Sequence, residues 1–347
     1  MEGRMKAAML YKLLDMRIEE VDIPKIDTKD VLVKMKRVGI CGSDVHFYQE
    51  GRIGSYIVQE PLILGHECSG EVAEVGDEVT RLEVGQRVVV EPGFVCGKCQ
   101  YCRKGRYNLC REVQFYGAPP YDGAFAEYVF TPEQNVYAIP KGMSYEEGAM
   151  IEPLSVGMMA VKMGRVTAQD VVVILGAGPI GQMSLQAAKT YGALEAYVTD
   201  IVEYRLSYAE KYGATAIVDA VKENVVDRMM ELTNNEGVDV VIEASGAIPA
   251  ILQAIEIVKP GGRIVLVGYP PKEVRFPVSK VIINELEIRG IHRYANVFQT
   301  AIKAVSSGKA VVKPFVTHRF PFNKILEGFE THIKKIGNPM KVQITME

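Results

Sequence analysis

The sequence predicts a two-domain α/β protein: a β-rich, loop-heavy first domain followed by a doubly wound parallel sheet. Two changes of pattern carry that reading. Up to about residue 155 the apolar residues come in short alternating runs broken by Gly, Pro and Asp, and beyond it strand-like runs alternate with helical ones. After about residue 295 the short mixed elements return, so the last segment is expected to pack back on the first domain and make it discontinuous. The division is therefore 1–154, 155–295 and 296–347.

In chain order, Val31-Leu32-Val33-Lys34-Met35, Gly70-Glu71-Val72-Ala73-Glu74-Val75 and Arg87-Val88-Val89-Val90 read as short strands of the first domain. Val171 to Leu175 is an apolar run of strand length, followed by a helix from about Pro179 to Tyr191. Ala196 to Asp200 is the next strand and Glu203 to Tyr212 the next helix. Val238 to Glu243 and Arg263 to Gly268 continue the sheet, and Leu286 to His292 is strand-like. Val311 to Val316 and Met340 to Ile344 belong to the returning segment. No internal repeat or low-complexity tract interrupts the pattern.

A chain of 347 residues with 48% hydrophobic content can bury two cores. Its 40 Lys and Arg nearly balance its 43 Asp and Glu, without the basic run that tracks phosphates, so no nucleic-acid partner is expected. No stretch approaches the roughly eighteen apolar residues of a membrane span, and the N-terminal residues carry no apolar signal core. The reading is a cytoplasmic protein with no membrane contact.

Cys96, Cys99, Cys102 and Cys110 stand as C-x2-C-x2-C-x7-C. Thiolates at that spacing can curl around one tetrahedral Zn²⁺, and four of them fill its coordination sphere, which makes the site structural. A disulfide cluster is the alternative, disfavoured by the missing export signal. A second set is mixed. Cys41, in Gly39-Ile40-Cys41-Gly42-Ser43-Asp44-Val45-His46, and His66 with Glu67, in Gly65-His66-Glu67-Cys68, supply a thiolate, an imidazole and a carboxylate. Three ligands leave one position open, the arrangement of Lewis-acid catalysis. Cys68 reads as a core thiol. Glu152 lies where the chain passes between domains, a further acid near that site or one half of a junction salt bridge.

Gly176-Ala177-Gly178-Pro179-Ile180-Gly181 follows an apolar strand and opens a helix, the context in which GxGxxG has physical meaning. Gly176 makes the turn, Gly178 lets backbone approach a pyrophosphate, Gly181 allows close helix–strand packing, and the start of the helix at Pro179 and Ile180 faces the anion. Asp200 ends the next strand, where its carboxylate can hold ribose hydroxyls and repel a 2′-phosphate; Ile201 beside it offers that phosphate nothing, so NAD is favoured over NADP. Arg205 is placed to cover the adenine or ribose edge. Val267, Gly268 and Tyr269, ending a late strand, should flank the nicotinamide half.

With Gly-Ile-Cys-Gly-Ser-Asp-x-His, Gly-His-Glu, the four-cysteine lobe and the glycine turn with its downstream Asp, the sequence resembles the zinc-containing medium-chain dehydrogenases over essentially the whole chain. Within them it is most similar to the sorbitol (polyol) dehydrogenases, on residues 44–54, 151–157 and 316–321. The resemblance implies a GroES-like catalytic domain joined to a Rossmann domain, with the active site in the cleft. It implies that Cys41, His66 and Glu67 hold a catalytic zinc, with Glu152 where simple alcohol dehydrogenases place a third ligand. Ser43 and His46 match the proton-relay positions, and Phe47, Phe115, Arg293 and Tyr294 match places that line the polyol site; Arg293 is also counted among the cofactor contacts. Phe47 stands where sorbitol dehydrogenases often carry Tyr, so a hydroxyl is missing there or supplied by Tyr48. The implied protein binds two zinc ions and NAD, forms a homo-tetramer with a dimer as the alternative, and oxidises a polyol reversibly to the ketose. L-threonine 3-dehydrogenase and 2,3-butanediol dehydrogenase are the rival activities. A non-catalytic NAD-binding structural protein would need a broken Cys41-His66-Glu67 set, and the set is intact.

Overall fold

The computed structural model describes residues 2–346. The chain divides into unit 1, formed by Met1–Glu152 with Lys313–Glu347, and unit 2, formed by Pro153–Val312.

Unit 1 opens with an antiparallel pair, β1 (Arg4–Lys12) and β2 (Asp15–Asp22). Its main sheet contains β3 (Asp30–Ile40), β4 (Glu67–Val75), β5 (Arg87–Val90), β6 (Tyr128–Pro132) and β7 (Val136–Ala138), joined by two strands from far along the chain, β14 (Val316–Pro321) and β15 (Lys341–Thr345). The order is β7-β5-β4-β3-β15-β14, with β6 also paired to β3. β3 turns Val31, Val33 and Met35 into a core that also takes Val72, Val88, Phe125 and Phe329. Its far end positions the site. There Gly39 lies opposite Glu67 of β4 on one side and opposite Gln343 of β15 on the other. Helix α1 (Gly42–Glu50) starts immediately after β3, where the Asp44 carboxylate accepts the Cys41 N–H at 2.8 Å and satisfies a donor at the helix start. Gly51, at φ 68°, ends it.

Unit 2 is a six-stranded sheet of β8 (Val171–Leu175), β9 (Glu195–Asp200), β10 (Ala216–Asp219), β11 (Val238–Glu243), β12 (Val258–Leu266) and β13 (Glu287–Gly290). The order is β10-β9-β8-β11-β12-β13, with every neighbouring pair parallel. Helices α2 (Ile151–Met163), α3 (Pro179–Tyr191), α4 (Glu203–Lys211), α5 (Val225–Leu232) and α6 (Ile248–Ile257) accompany it. Val173, Leu175, Val241, Ile255 and Ile264 are at the centre of its core. The sequence runs outward from β8 in both directions, which makes the carboxyl ends of β8 and β11 the topological switch point where ligands bind in such sheets.

The runs expected at 171–175, 179–191 and 238–243 have those bounds in the structure. β10 was not anticipated, because Ala-Ile-Val-Asp is too short a run to stand out between two helices. The chain returns to unit 1 at Lys313 rather than at 296. Residues 298–306 form a helix, α7 (Phe298–Ser306), that buries Phe298, Ala301, Ile302 and Ala304, and the Val311 N–H beyond it bonds the Gln186 side chain of α3 at 3.1 Å. Those contacts keep the segment with unit 2. Among the described residues no helix is long and apolar enough to cross a membrane.

Candidate active site

The mixed set converges. Ligand atoms of Cys41, His66 and Glu67 lie within 4.8 Å of one another, Cys41 half-buried and the other two buried. Cys41 is placed by the end of β3, His66 and Glu67 by the start of β4, so the register of one antiparallel pair brings them together. Asp44 serves both segments: one oxygen takes the Cys41 N–H, the other takes the Gly65 N–H at 3.1 Å and lies 3.5 Å from His66 Nδ1. Burial alone would lower the His66 pKa, yet the Asp44 carboxylate and the Cys41 sulfur beside it raise it well above the usual value. Thiolate, imidazole and carboxylate are the donors zinc takes. The set fits the metal the sequence implies.

Cys68 stays outside the set. Its side chain is in the core, and burial together with Glu152 and Glu67 pushes its thiol far up, so it remains a protonated core residue as expected. Glu152, in the first turn of α2, is buried and within electrostatic reach of Cys68 and Lys341. Lys341 itself was not foreseen. Its ammonium, buried at the start of β15, donates to Glu67 Oε1 at 2.7 Å and Oε2 at 2.8 Å.

The four-cysteine lobe closes on itself. Sγ separations are 3.5 Å for Cys99–Cys102, 3.5 Å for Cys110–Cys96 and 4.0 Å for Cys96–Cys102. Tetrahedral zinc with bonds of roughly 2.3 Å requires about 3.8 Å between sulfurs, so the lobe is dimensioned for the ion. The backbone N–H of Cys102 pulls Cys99 down to about 7, while burial and bonds from Cys99 and Cys110 push Cys102 up to about 12. The lobe is anchored to the sheet by buried Glu91, which accepts from Tyr107 at 2.7 Å and Tyr137 at 2.9 Å.

In unit 2 the glycines of the turn have different surroundings. Gly176 has φ 102°, and a Cβ on Gly181 would stand 1.8 Å from the Gly176 carbonyl oxygen. A Cβ on Gly178 would meet only Arg205 Nη1, at 3.8 Å, and no side chain caps α3 there. That leaves open backbone and a helix N-terminus for a pyrophosphate. Asp200 is more engaged than the sequence suggests: Oδ2 accepts the Ala177 N–H at 2.6 Å, Oδ1 accepts the Val202 N–H at 2.9 Å, and Arg205 Nη1 is 3.9 Å from Oδ2. A carboxylate has about four acceptor positions, so it can pin the turn and still receive ribose hydroxyls.

The remaining expected residues separate. Ser43 is half-buried on α1, and His46 is exposed with Nδ1 3.3 Å from Glu50 Oε1. Phe115 is half-buried with its ring 5.4 Å from the His66 ring. Phe47, in contrast, is 4% exposed and packs in the core of unit 1 rather than standing in the open. Tyr48 turns its ring to Phe329 at 5.1 Å and its hydroxyl to the Leu14 carbonyl, so it supplies no hydroxyl in place of the missing one. Arg293 is half-buried at φ 54°, and Tyr294 is buried with its ring 5.8 Å from Phe298. Val267 and Gly268 donate to the Glu243 carbonyl at the end of β11, and Tyr269 is 78% exposed.

A closed thiolate lobe, an open mixed metal set and a glycine turn on a doubly wound sheet define a zinc- and dinucleotide-dependent dehydrogenase. Family comparison agrees: residues 27–141 match the alcohol dehydrogenase GroES-like domain and residues 179–307 the zinc-binding dehydrogenase domain. The sorbitol dehydrogenase of Bacillus subtilis is 41% identical over 98% of this chain and 97% of its own, and the D-xylulose reductase A of Aspergillus oryzae 39% identical over 94% and 93%. A solved Escherichia coli oxidoreductase of unknown specificity superposes with a TM-score of 0.96 at 38% identity, covering 99% of this chain and all of that one. The chain belongs to the zinc-containing medium-chain dehydrogenases, among the sorbitol dehydrogenases.

Proposed function

We propose that the protein oxidises one secondary hydroxyl of a sugar alcohol of the sorbitol or xylitol type to the ketose, reversibly and with NAD. The observation that carries the chemistry is the convergence of half-buried Cys41 with buried His66 and Glu67, their ligand atoms within 4.8 Å of one another. The substrate class rests on the full-length relatives, which act on sorbitol and D-xylulose by name.

When bound, zinc supplies Lewis-acid polarisation of the hydroxyl and NAD accepts the hydride. Cys41, His66 and Glu67 would hold the metal, with Glu152 as the alternative carboxylate. Ser43 takes the alcohol proton and passes it to His46, whose exposed ring delivers it to water. Phe115 keeps an apolar wall beside His66. Gly176, Gly178 and Gly181 seat the pyrophosphate, Asp200 the ribose, and Arg205 the edge beyond it. Val267, Gly268 and Tyr269 border the nicotinamide, and Arg293 contacts hydroxyls remote from the reacting carbon. We place the protein in the cytoplasm, where a reducing environment keeps clustered thiols available to metal, and expect a homo-tetramer with a dimer as the alternative.

NAD-linked initial rates across sorbitol, xylitol, ribitol, galactitol, L-threonine and 2,3-butanediol test the reading. The highest kcat/KM should fall on a polyol. A higher value for L-threonine or for 2,3-butanediol replaces the polyol assignment with that activity.

A further inference from the structure

We infer that Lys341 is a positioning residue for the catalytic metal: reaching across Gly39, it holds the Glu67 carboxylate in one orientation beside Cys41 and His66. The inference rests on the metal reading above and adds the element that fixes its third ligand.

The placement follows from the sheet. β3 lies between β4 and β15, and Gly39 of β3 is opposite Glu67 on one side and Gln343 on the other. Lys341 and Glu67 therefore belong to strands that do not touch and can meet only over β3. They meet where β3 has no side chain: a Cβ built on Gly39 would lie 2.1 Å from Glu67 Oε2 and 3.1 Å from Glu67 Cβ. Gly39 is a window in the strand, and the ion pair fills it.

The pair is dry and two-pronged. Side-chain exposure is 2% for Lys341 and 1% for Glu67, and one ammonium donates to both carboxylate oxygens at 2.7 and 2.8 Å, with the Ile40 carbonyl a further 3.4 Å acceptor. A carboxylate gripped through both oxygens cannot rotate freely. The same carboxylate offers an oxygen within 4.8 Å of the Cys41 sulfur and a His66 nitrogen, so its rotation is the variable that decides how it meets a metal. Partners that orient metal ligands from behind are worth about 10–100-fold in metal affinity or activity. A lysine here does a second thing. Its charge offsets that of Glu67, so the pocket that would hold a divalent ion with Cys41 and His66 carries less net negative charge.

The test compares the full-length holoenzyme with Lys341→Met, Lys341→Arg and Gly39→Ala. Zinc remaining after timed exposure to a chelator is counted by elemental analysis, and the ligand-field spectrum is recorded after cobalt(II) replaces the catalytic zinc. Lys341→Met should lose the Cys41-site zinc at least ~10-fold faster and show shifted cobalt bands, while the four-cysteine site keeps its ion. Lys341→Arg, retaining a cation in the window, should recover most of both signals. Gly39→Ala closes the window from another strand and should shift the bands in the same way; it decides the matter if Lys341→Met does not fold. Wild-type zinc retention and cobalt bands in folded Lys341→Met, with only a lowered melting temperature, overturn the inference. So do wild-type bands in Gly39→Ala. Failure of the underlying metal reading looks different: the unmutated protein would hold one zinc and Cys41→Ala would leave that number unchanged.

Discussion

The two glycines at the start of α3 can be separated experimentally, because the structure gives each a different neighbour. A methyl added at Gly181 would lie 1.8 Å from the Gly176 carbonyl oxygen and 2.8 Å from its carbon, about half an ordinary non-bonded contact of ~3.5 Å. The clash is with the Gly176 backbone, which has no flexible end to yield, so the helix must withdraw from β8. Overpacking of that kind costs about 1–3 kcal/mol or more, and for a domain of this size each kcal/mol lowers Tm by ~2–4 °C. The Gly181→Ala variant should thus melt ~2–12 °C below the parent. Gly178 has φ −67°, which alanine adopts freely, and its added methyl would meet only Arg205 at 3.8 Å. Gly178 supplies no capping side chain, so its exchange for alanine should cost no more than about 1 kcal/mol. The same methyl stands where a pyrophosphate must approach, so the Kd for NADH should rise at least ~10-fold, or about 1.4 kcal/mol. Thermal melts and NADH fluorescence titrations on both variants decide it. Parental NADH affinity in Gly178→Ala, or an unchanged melt in Gly181→Ala, would refute the assignment of the turn.

Elemental analysis should find two zinc ions per chain; Cys41→Ala should remove one with loss of activity, whereas Cys99→Ala should cost stability first, because metal binding is coupled to folding of the lobe, and should keep more activity per folded molecule. Asp200→Ala should raise the kcat/KM ratio of NADP to NAD by leaving Arg205 unopposed beside the ribose, together with a lower Tm from loss of the Ala177 and Val202 bonds; a wild type that already prefers NADP contradicts this. Arg293→Ala should reduce kcat/KM for sorbitol or xylitol at least ~10-fold while changing 2-butanol much less, and equal losses would reject a hydroxyl-binding role. Asp170 concerns pH. Burial would raise its pKa, but bonds from Thr167 and the Arg263 guanidinium lower it overall, so its stabilisation is complete above the unfolded carboxylate value and lost as pH falls through the lower folded one. Asp170→Asn should accordingly flatten the acid limb of a Tm-against-pH curve, and a parallel downward shift would count against it.

How much of this was visible in the sequence depended on range. The lobe at 96–110 and the turn at 176–181 are local, so spacing alone exposed both; β8 and β11 stood out as short apolar runs, and α3 by the Pro that opens it and the Gly192 that ends it. Cys41, His66 and Glu67 could be grouped by donor chemistry and by the resemblance, while the contact that unites them comes from the register of β3 on β4. Lys341 left no signal at all. Lys341-Val342-Gln343-Ile344 alternates polar and apolar residues as a half-exposed strand does, yet all four are buried, the polar face because Lys341 pairs with Glu67 and the Gln343 amide donates to the Glu146 carbonyl. Phe47 and Tyr294 show the converse: an aromatic residue beside a functional motif has a type but no direction, and both turned inward.

The connectivity of unit 1 also sets an order of events during synthesis. β15 is translated only after all of unit 2, and until it arrives the Arg37–Ile40 stretch of β3 has no partner along the side that β15 will occupy. Unit 2, one uninterrupted stretch of chain, can complete itself first, as domains generally do on the ribosome. Meanwhile the nascent first unit exposes an unfilled strand edge, the kind of surface that pairs with the wrong chain. Its half-formed pocket has the sulfur, imidazole and carboxylate in sequence but no ammonium to hold the carboxylate still. Maturation of the catalytic centre is thereby tied to one of the last strands made, and a chain stalled before Lys341 would carry its four-cysteine lobe but an unfinished catalytic site.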